Sequence, residues 1–430
     1  MAAYSSNRHC VEKLLNLSES HSIVATEDIY DEHGMKLLAK GAEISREMQD
    51  RLLLRKLRAP LESSLAVHDG LTVGEMMQGA IDLIAEVPAL ASIAGGRAAR
   101  EILRDARGLH IPPPLLMLMT CARHADPESY RRTQIVAALC AGIAGEVNAP
   151  SGDAQVLLLA SALHDLGEIY INPEYLQRQG HLSPREWKHV ATHPHVGQLL
   201  IGNLTSLPKS VLACVGQHHE RHDGSGYPAQ LSRQEQHRLS GWLAVADAAA
   251  ALISRGESCS NRVSLALRIV PEEFDREAAD VLIRGLQTLP AKAPVAQPSA
   301  FPLESAHRLL ARLESAAEEI AQVLLDDCSG VIRSVAGQAR HLLDSFARSL
   351  RATGILDAEI LSGDDFADPG LQEEMQQIVS ELGWRMRNLA RNLHLSVDNE
   401  RIEAAALARL QGVIDLLDCS PATEPAGSGG

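Results

Sequence analysis

The sequence predicts a mainly α-helical protein, and three observations carry that reading. Ile135 to Val147 and Val156 to Leu163 are nearly continuous apolar runs without strand alternation, as expected of buried helices. Met76, Met77, Ile81 and Ile84 keep helical spacing, and so do Ile102 and Leu103 with Ala106. Beyond residue 303 come four stretches with one apolar face each, marked by Leu309/Leu313/Ile320, Val335/Leu342/Phe346, Met375/Ile378/Leu382 and Leu410/Val413/Leu417. Four such faces with short connections suggest a helical bundle or a dimerising helical domain.

Taken in order, residues 1–71 read as a small N-terminal α+β unit. Ile23-Val24 and Met35 to Leu38 are short strand candidates on either side of Asp31-Glu32-His33-Gly34, a hairpin-turn composition. Ser45 is placed to cap a helix carrying Met48, Leu52 and Leu53 that ends before Pro60. No ligand site is legible in this unit. Residues 72–290 are expected to form one all-helical domain, in which Pro112-Pro113-Pro114 is an interruption and the second apolar run delivers His164-Asp165 at its end. A Pro/Ala-rich linker is expected at 291–304, the helical bundle at 305–420 and a disordered tail at 421–430.

Composition narrows the function. With 430 residues, the chain is long enough for two to three domains. It carries 40 basic against 55 acidic residues, a net charge of −15, which argues against non-specific binding to nucleic acid or anionic membrane. Aromatic residues make up only 3%, leaving few stacking platforms for single strands. The seven cysteines are scattered without CxxC spacing and read as reduced thiols. No apolar run reaches the 18 or so residues of a membrane span and no signal peptide is visible at Met1. A cytoplasmic protein is expected.

The chemistry is concentrated between His164 and Asp247. Nine of the 18 histidines fall between His164 and His237. Histidine with aspartate suits Fe, Mn, Zn or Ni better than Ca or Mg. Asp165 has two oxygens and can bridge two ions, while neighbours His164 and Asp165 lie about 100° apart on a helix and could serve different ions. His218 and His219 repeat that arrangement. Two ions roughly 3.5–4 Å apart would suit in-line phosphodiester hydrolysis, polarising the phosphoryl group and acidifying a water. Each motif alone has a bland reading: a His-Asp pair at a helix end, a His before Pro as a cap, and Asp223-Gly224-Ser225-Gly226 as a turn. Their joint occurrence in this order is much harder to dismiss.

The ordered set His164-Asp165-x-Gly167, His193-Pro194-x-x-Gly197, His218-His219-Glu220-x-x-Asp223-Gly224-Ser225-Gly226-Tyr227-Pro228 and Val245-Ala246-Asp247 resembles the HD-GYP domain. This is a metal-dependent subgroup of the HD phosphohydrolases that hydrolyses cyclic di-GMP. The resemblance is specific through 164–247 and extends to about 110–260. It implies an all-helical HD-type core and catalysis centred on His164 and Asp165. It also implies one metal held by Asp165, His193, His218 and His219, and a second by an earlier histidine with His164, Asp165 and Asp247. At the earlier position stands Arg132; Glu128, four residues before it, matches an acidic ligand of some three-metal members. Glu168 replaces the usual Lys after Gly167, and Ala249 and Ala250 replace an aromatic and an Asp. The opposite signs of Arg132 and Glu168 suggest that they pair with each other.

The resemblance further implies two divalent transition-metal ions, Fe or Mn before Zn or Ni, and a cyclic dinucleotide substrate lined by Gly224, Gly226, Tyr227 and Pro228. Further partners would be signalling proteins meeting the Gly-Tyr-Pro loop or the terminal domains, or a second copy in a homodimer; neither nucleic acid nor membrane is expected. A cyclic di-GMP phosphodiesterase is the leading expectation. The rivals are a catalytically silent nucleotide receptor or scaffold, favoured by Arg132, Glu168 and Ala250, and hydrolysis of another phosphoester.

Overall fold

The computed structural model describes residues 4–178, 182–256, 259–290, 303–325, 330–356, 369–398 and 404–418. Most of the expected linker at 291–304 and all of the expected tail at 421–430 lie outside the described residues. The fold is mainly helical, and among the described residues strands occur only in the N-terminal part. There the helix Arg8–Ser18 is capped by the Asn7 side chain, and the same part of the chain holds three two-stranded antiparallel ladders. The 31–34 turn is a hairpin turn, but it joins Ile29–Tyr30 to Lys36–Leu38. Ile23–Ala25, expected to be its other arm, pairs instead with Leu65–Val67. Alternation and turn chemistry identify a strand without naming its partner, because pairing is decided by which edges the chain brings together.

The central helices follow the apolar runs. Residues 135–146 lie in the helix Pro127–Glu146, with Val147 as its C-cap and residues 135–144 buried, and residues 156–163 lie in Ser151–Leu163. The interruption expected at the three prolines falls between the helices Arg97–Ala106 and Pro113–Ala125. Pro113 and Pro114 open the helix Pro113–Ala125, because the first turn of a helix has no intrahelical use for the missing N–H and accepts the fixed proline φ. One continuous apolar cluster runs from Cys10 and Leu14 through Leu139 and Leu158 to Leu286, so the Arg8–Ser18 helix shares its core with the helices that follow.

The four C-terminal stretches are the helices Leu303–Leu325, Gly330–Ala352, Pro369–Asp398 and Ala404–Leu417. Their apolar faces bury a second cluster around Ile320, Phe346, Leu382 and Val413. Leu265, Ile269 and Val270, from the end of the preceding all-helical part, belong to this second cluster. Among the described residues no single helix is long and apolar enough to cross a membrane; one sharply bent pair, Val73–Glu86 with Pro88–Ala94, passes that test only when joined.

Candidate metal centre

All but one of the clustered ligand candidates sit at the end of a helix or just beyond it. His164 is the C-cap of Ser151–Leu163 and fully buried, and Asp165 leads the single 3-10 turn Leu166–Tyr170. His193 opens the helix His193–Leu204, and His218 closes Lys209–Gln217 with His219 next in line. Asp247 projects from the middle of Arg238–Ile253. Two motif glycines explain how these ends come so close. A Cβ on Gly167 would overlap the carbonyl oxygen of His193 and lie 2.8 Å from Gly197 N. Only a glycine lets the turn after Asp165 rest directly on the helix that carries His193.

The four side chains Asp165, His193, His218 and His219 each offer a ligand atom within 4.8 Å of the others. Asp165 Oδ1 is 3.5 Å from Nε2 of both His193 and His218. His164 Nε2 lies 3.0 Å from Asp165 Oδ2 and 3.8 Å from Asp247 Oδ1, and His219 Nδ1 lies 3.5 Å from Asp247 Oδ2. The six expected ligands therefore share one buried cavity. Glu128 does not join them: it is exposed in the first turn of Pro127–Glu146.

Three of the histidines have their tautomer set by the backbone. Nδ1 of His164, His193 and His218 meets the carbonyls of Ser161, Val190 and Val215 at 2.9, 2.8 and 2.7 Å. A carbonyl can only accept, so each Nδ1 carries a proton, and in the neutral ring Nε2 is left with the lone pair facing the cavity. Nε2 of His193 and of His218 lie 3.3 Å apart, and both face the acceptor-only carboxylate of Asp165. Although its distance to Asp165 Oδ2 is short, His164 Nε2 has no hydrogen-bond geometry with any partner. Converging lone pairs and a carboxylate call for a shared cation or proton, so the residues present fit a divalent transition metal.

Titration follows the same logic. Burial would lower the pKa of His164, but the adjacent Asp165 carboxylate outweighs it and lifts the imidazole to about 9. Burial would raise Asp165, yet His164 and the surrounding imidazoles take it well below the usual carboxylate range. His218 and His219 are lowered, by burial first and then by their positive neighbours.

The loop after His219 is held by its own residues. Glu220 accepts from the backbone N–H of Ala229 at 2.7 Å and of Leu231 at 3.0 Å, and burial lifts its carboxyl to about 7. Asp223 accepts from Ser225 N at 2.9 Å. Gly224 has φ +78, and a Cβ on Gly226 would lie 2.5 Å from His219 O. The loop thus folds back onto the metal centre, and the Tyr227 ring stacks on His219 with centroids 4.7 Å apart. Glu220's holding role was not evident from its place in the motif.

Residues 117–280 match the family described as HD domain. That stretch, which holds all six expected ligands, is similar to an HD domain. The chain is 34% identical over 143 residues to a cyclic di-GMP phosphodiesterase of Thermotoga maritima, covering 33% of this chain and 39% of the relative. It is 29% identical over 184 residues to 3'3'-cGAMP-specific phosphodiesterase 1 of Vibrio cholerae, covering 40% of this chain and 42% of the relative. The chain thus spans about two fifths of the length of these relatives. A solved structure, the HDG"Y"P protein Bd1817 from Bdellovibrio bacteriovorus, aligns with 18% identity and a TM-score of 0.34 over 61% of this chain and 95% of its own.

Within this HD-like stretch the expected pairing of Arg132 with Glu168 is not what forms. Arg132 Nη2 bonds Asp165 Oδ2 at 3.2 Å and Ser129 Oγ at 3.5 Å, and no ion pair with Glu168 occurs. The nearest anion wins: Asp165 is ionised, whereas burial and the Asp165 charge push Glu168 up to about 7. Glu168 lines an open cleft at the edge of the centre with Asp165, Ser129, Tyr130 and Lys13. Lys13, from the N-terminal helix, donates to the carbonyls of Glu168 at 2.9 Å and Ile169 at 3.2 Å. Sequence reasoning missed it, since nothing local links positions 155 residues apart. Ala249 and Ala250 are fully buried in the core of their helix.

Proposed function

We propose that this chain is a metal-dependent phosphodiesterase that hydrolyses cyclic di-GMP, working in the cytoplasm in second-messenger signalling. The observation that carries the reading is the convergence of three backbone-oriented Nε2 lone pairs on the Asp165 carboxylate. The names of the curated relatives support the substrate class. Asp165, His193, His218 and His219 would hold one ion, Mn or Fe. His164, Asp165 and Asp247 are what remains for a second, with Arg132 on the Asp165 oxygen that it would share.

A divalent ion bound there supplies Lewis-acid polarisation of a phosphoryl oxygen and lowers the pKa of a water. The protein's own groups do the rest. Ser161, Val190 and Val215 fix the imidazole planes through their carbonyls, so the ligands need no reorientation. Arg132, paired with Asp165 and partly exposed, would be available to a phosphate anion. With its carboxyl raised to about 7, Glu168 is partly neutral near pH 7 and repels a phosphate less than an ordinary glutamate would. Gly224, Gly226, Tyr227 and Pro228 would bound the nucleotide side of the cavity.

The test is turnover. Purified protein supplied with Mn or Fe should cleave cyclic di-GMP, and His218→Ala should abolish cleavage. 3'3'-cGAMP run in parallel decides between the two substrate names among the relatives. Saturable nucleotide binding without product would replace this reading with a silent receptor.

A further inference from the structure

One C-terminal helix grips both flanks of the metal centre. From Pro369–Asp398, the Asn392 amide donates to the carbonyls of Ser225 at 2.7 Å and Gly226 at 3.0 Å. These are the two residues immediately before Tyr227, whose ring stacks on the ligand candidate His219. Asn392 is 4% exposed. Its amide is held in one orientation, because turning it over would set its oxygen against two carbonyl oxygens. The preceding residue, Arg391, lays its guanidinium over the Trp187 ring at 4.8 Å, and Trp187 meets Tyr227 edge-on at 5.1 Å. Trp187 belongs to Pro184–Ala191, the helix whose Val190 carbonyl orients His193.

Two further contacts fasten the same loop. Gln338, on Gly330–Ala352, donates to Gly224 O at 2.8 Å. Arg385 forms a fully buried pair with Glu273 at 2.7 Å, and the Glu273 carbonyl accepts from His222 N. The loop that the sequence offered to an outside partner is covered by the chain's own C-terminal helices.

We propose that Asn392 is a positioning residue of the metal centre, through which the C-terminal bundle holds His219 in place by way of the 225–227 backbone. The proposal rests on the reading of Asp165, His193, His218 and His219 as a metal site, but not on the nucleotide. Without the two amide bonds, the Ser225 and Gly226 carbonyls lose their buried donors and Tyr227 loses the support that presses it on His219. The ligand becomes less well oriented, and metal affinity falls while the helices persist.

The full chain, stripped of metal, would be titrated with Mn2+ by calorimetry, with melting and helix content recorded for every variant. Asn392→Ala should weaken Mn2+ binding about tenfold, the low end of what loss of a ligand-orienting contact costs. It should also speed amide hydrogen exchange between residues 219 and 228. Asn392→Ser, which keeps one donor, should recover part of the affinity, and Gln338→Ala should give a smaller loss of the same kind. Gln377→Ala, on the same helix with its side chain bonded, among the described residues, to Glu373, should bind as the unaltered chain does. Unchanged Mn2+ affinity in folded Asn392→Ala overturns the proposal, as does an equal loss in Gln377→Ala. If the unaltered chain binds Mn2+ but turns over no nucleotide, the phosphodiesterase reading fails and the affinity comparison still decides this one. A chain that takes up no Mn2+ overturns both.

Discussion

Gly167→Ala is the sharpest single perturbation of the centre. The added methyl would occupy the place of the His193 carbonyl oxygen and sit 2.8 Å from Gly197 N. Both obstacles are backbone, so no rotamer change relieves them. The turn after Asp165 and the helix that starts at His193 must move apart by something on the order of 1 Å, at the roughly 1–3 kcal/mol typical of overpacking. Asp165 Oδ1 and His193 Nε2 are 3.5 Å apart in the structure and would share one ion. Metal–ligand distances tolerate only about 0.2 Å of error, so a shift of that size removes one of the two from coordination. Mn2+ affinity should then fall by about 100-fold or more, beyond the range seen for outer contacts. The assay is calorimetric titration beside a thermal melt. Gly197→Ala, whose Cβ would lie 3.2 Å from Val215 Cγ1, a side-chain methyl and not backbone, should be clearly milder in both. Gly167→Ala binding Mn2+ as tightly as the unaltered chain would refute the claim that this close approach sets the ligand geometry.

Two more outcomes follow from charges. Arg132→His removes the cation on Asp165 Oδ2 and offers an imidazole, so bound metal per chain, measured by elemental analysis, should rise. Because Arg132 bonds Asp165 and not Glu168, its coupling to Glu168→Lys in a double-mutant cycle of turnover should stay under about 1 kcal/mol; unchanged metal content would sink the idea. Arg385→Met strands buried Glu273 and should destabilise the chain by roughly 3–5 kcal/mol. Burial already raises Glu273's pKa, with Arg385 opposing the rise, so removing Arg385 raises it further. A carboxyl with a raised folded pKa contributes stability at low pH and loses it as pH climbs through that pKa. The variant's deficit should therefore be smaller near about pH 5 than near about pH 8 in urea unfolding; a deficit that shrinks on raising pH would contradict this.

The sequence by itself determined the helical class, the course of the central apolar helices and the four C-terminal ones. It also named the six residues that meet in the cavity, His164, Asp165, His193, His218, His219 and Asp247. Period and motif order are local properties, and the spacing of histidine, aspartate and glycine survives in the text of the chain. Only the tertiary structure decided the rest, for one physical reason: a contact between distant segments leaves no local trace. Thus Ile23–Ala25 paired with Leu65–Val67 and not with its sequence neighbour. Arg132 reached Asp165, the ionised carboxylate, and passed over Glu168, whose charge burial suppresses. Glu128 stayed in solvent although its spacing put it on the same helix face as Arg132. Lys13 and Asn392, 155 and 167 residues from the backbone they bind, carry no mark in the sequence of what they touch. Their roles exist because folding sets one donor against two buried carbonyls, and that geometry is created by packing.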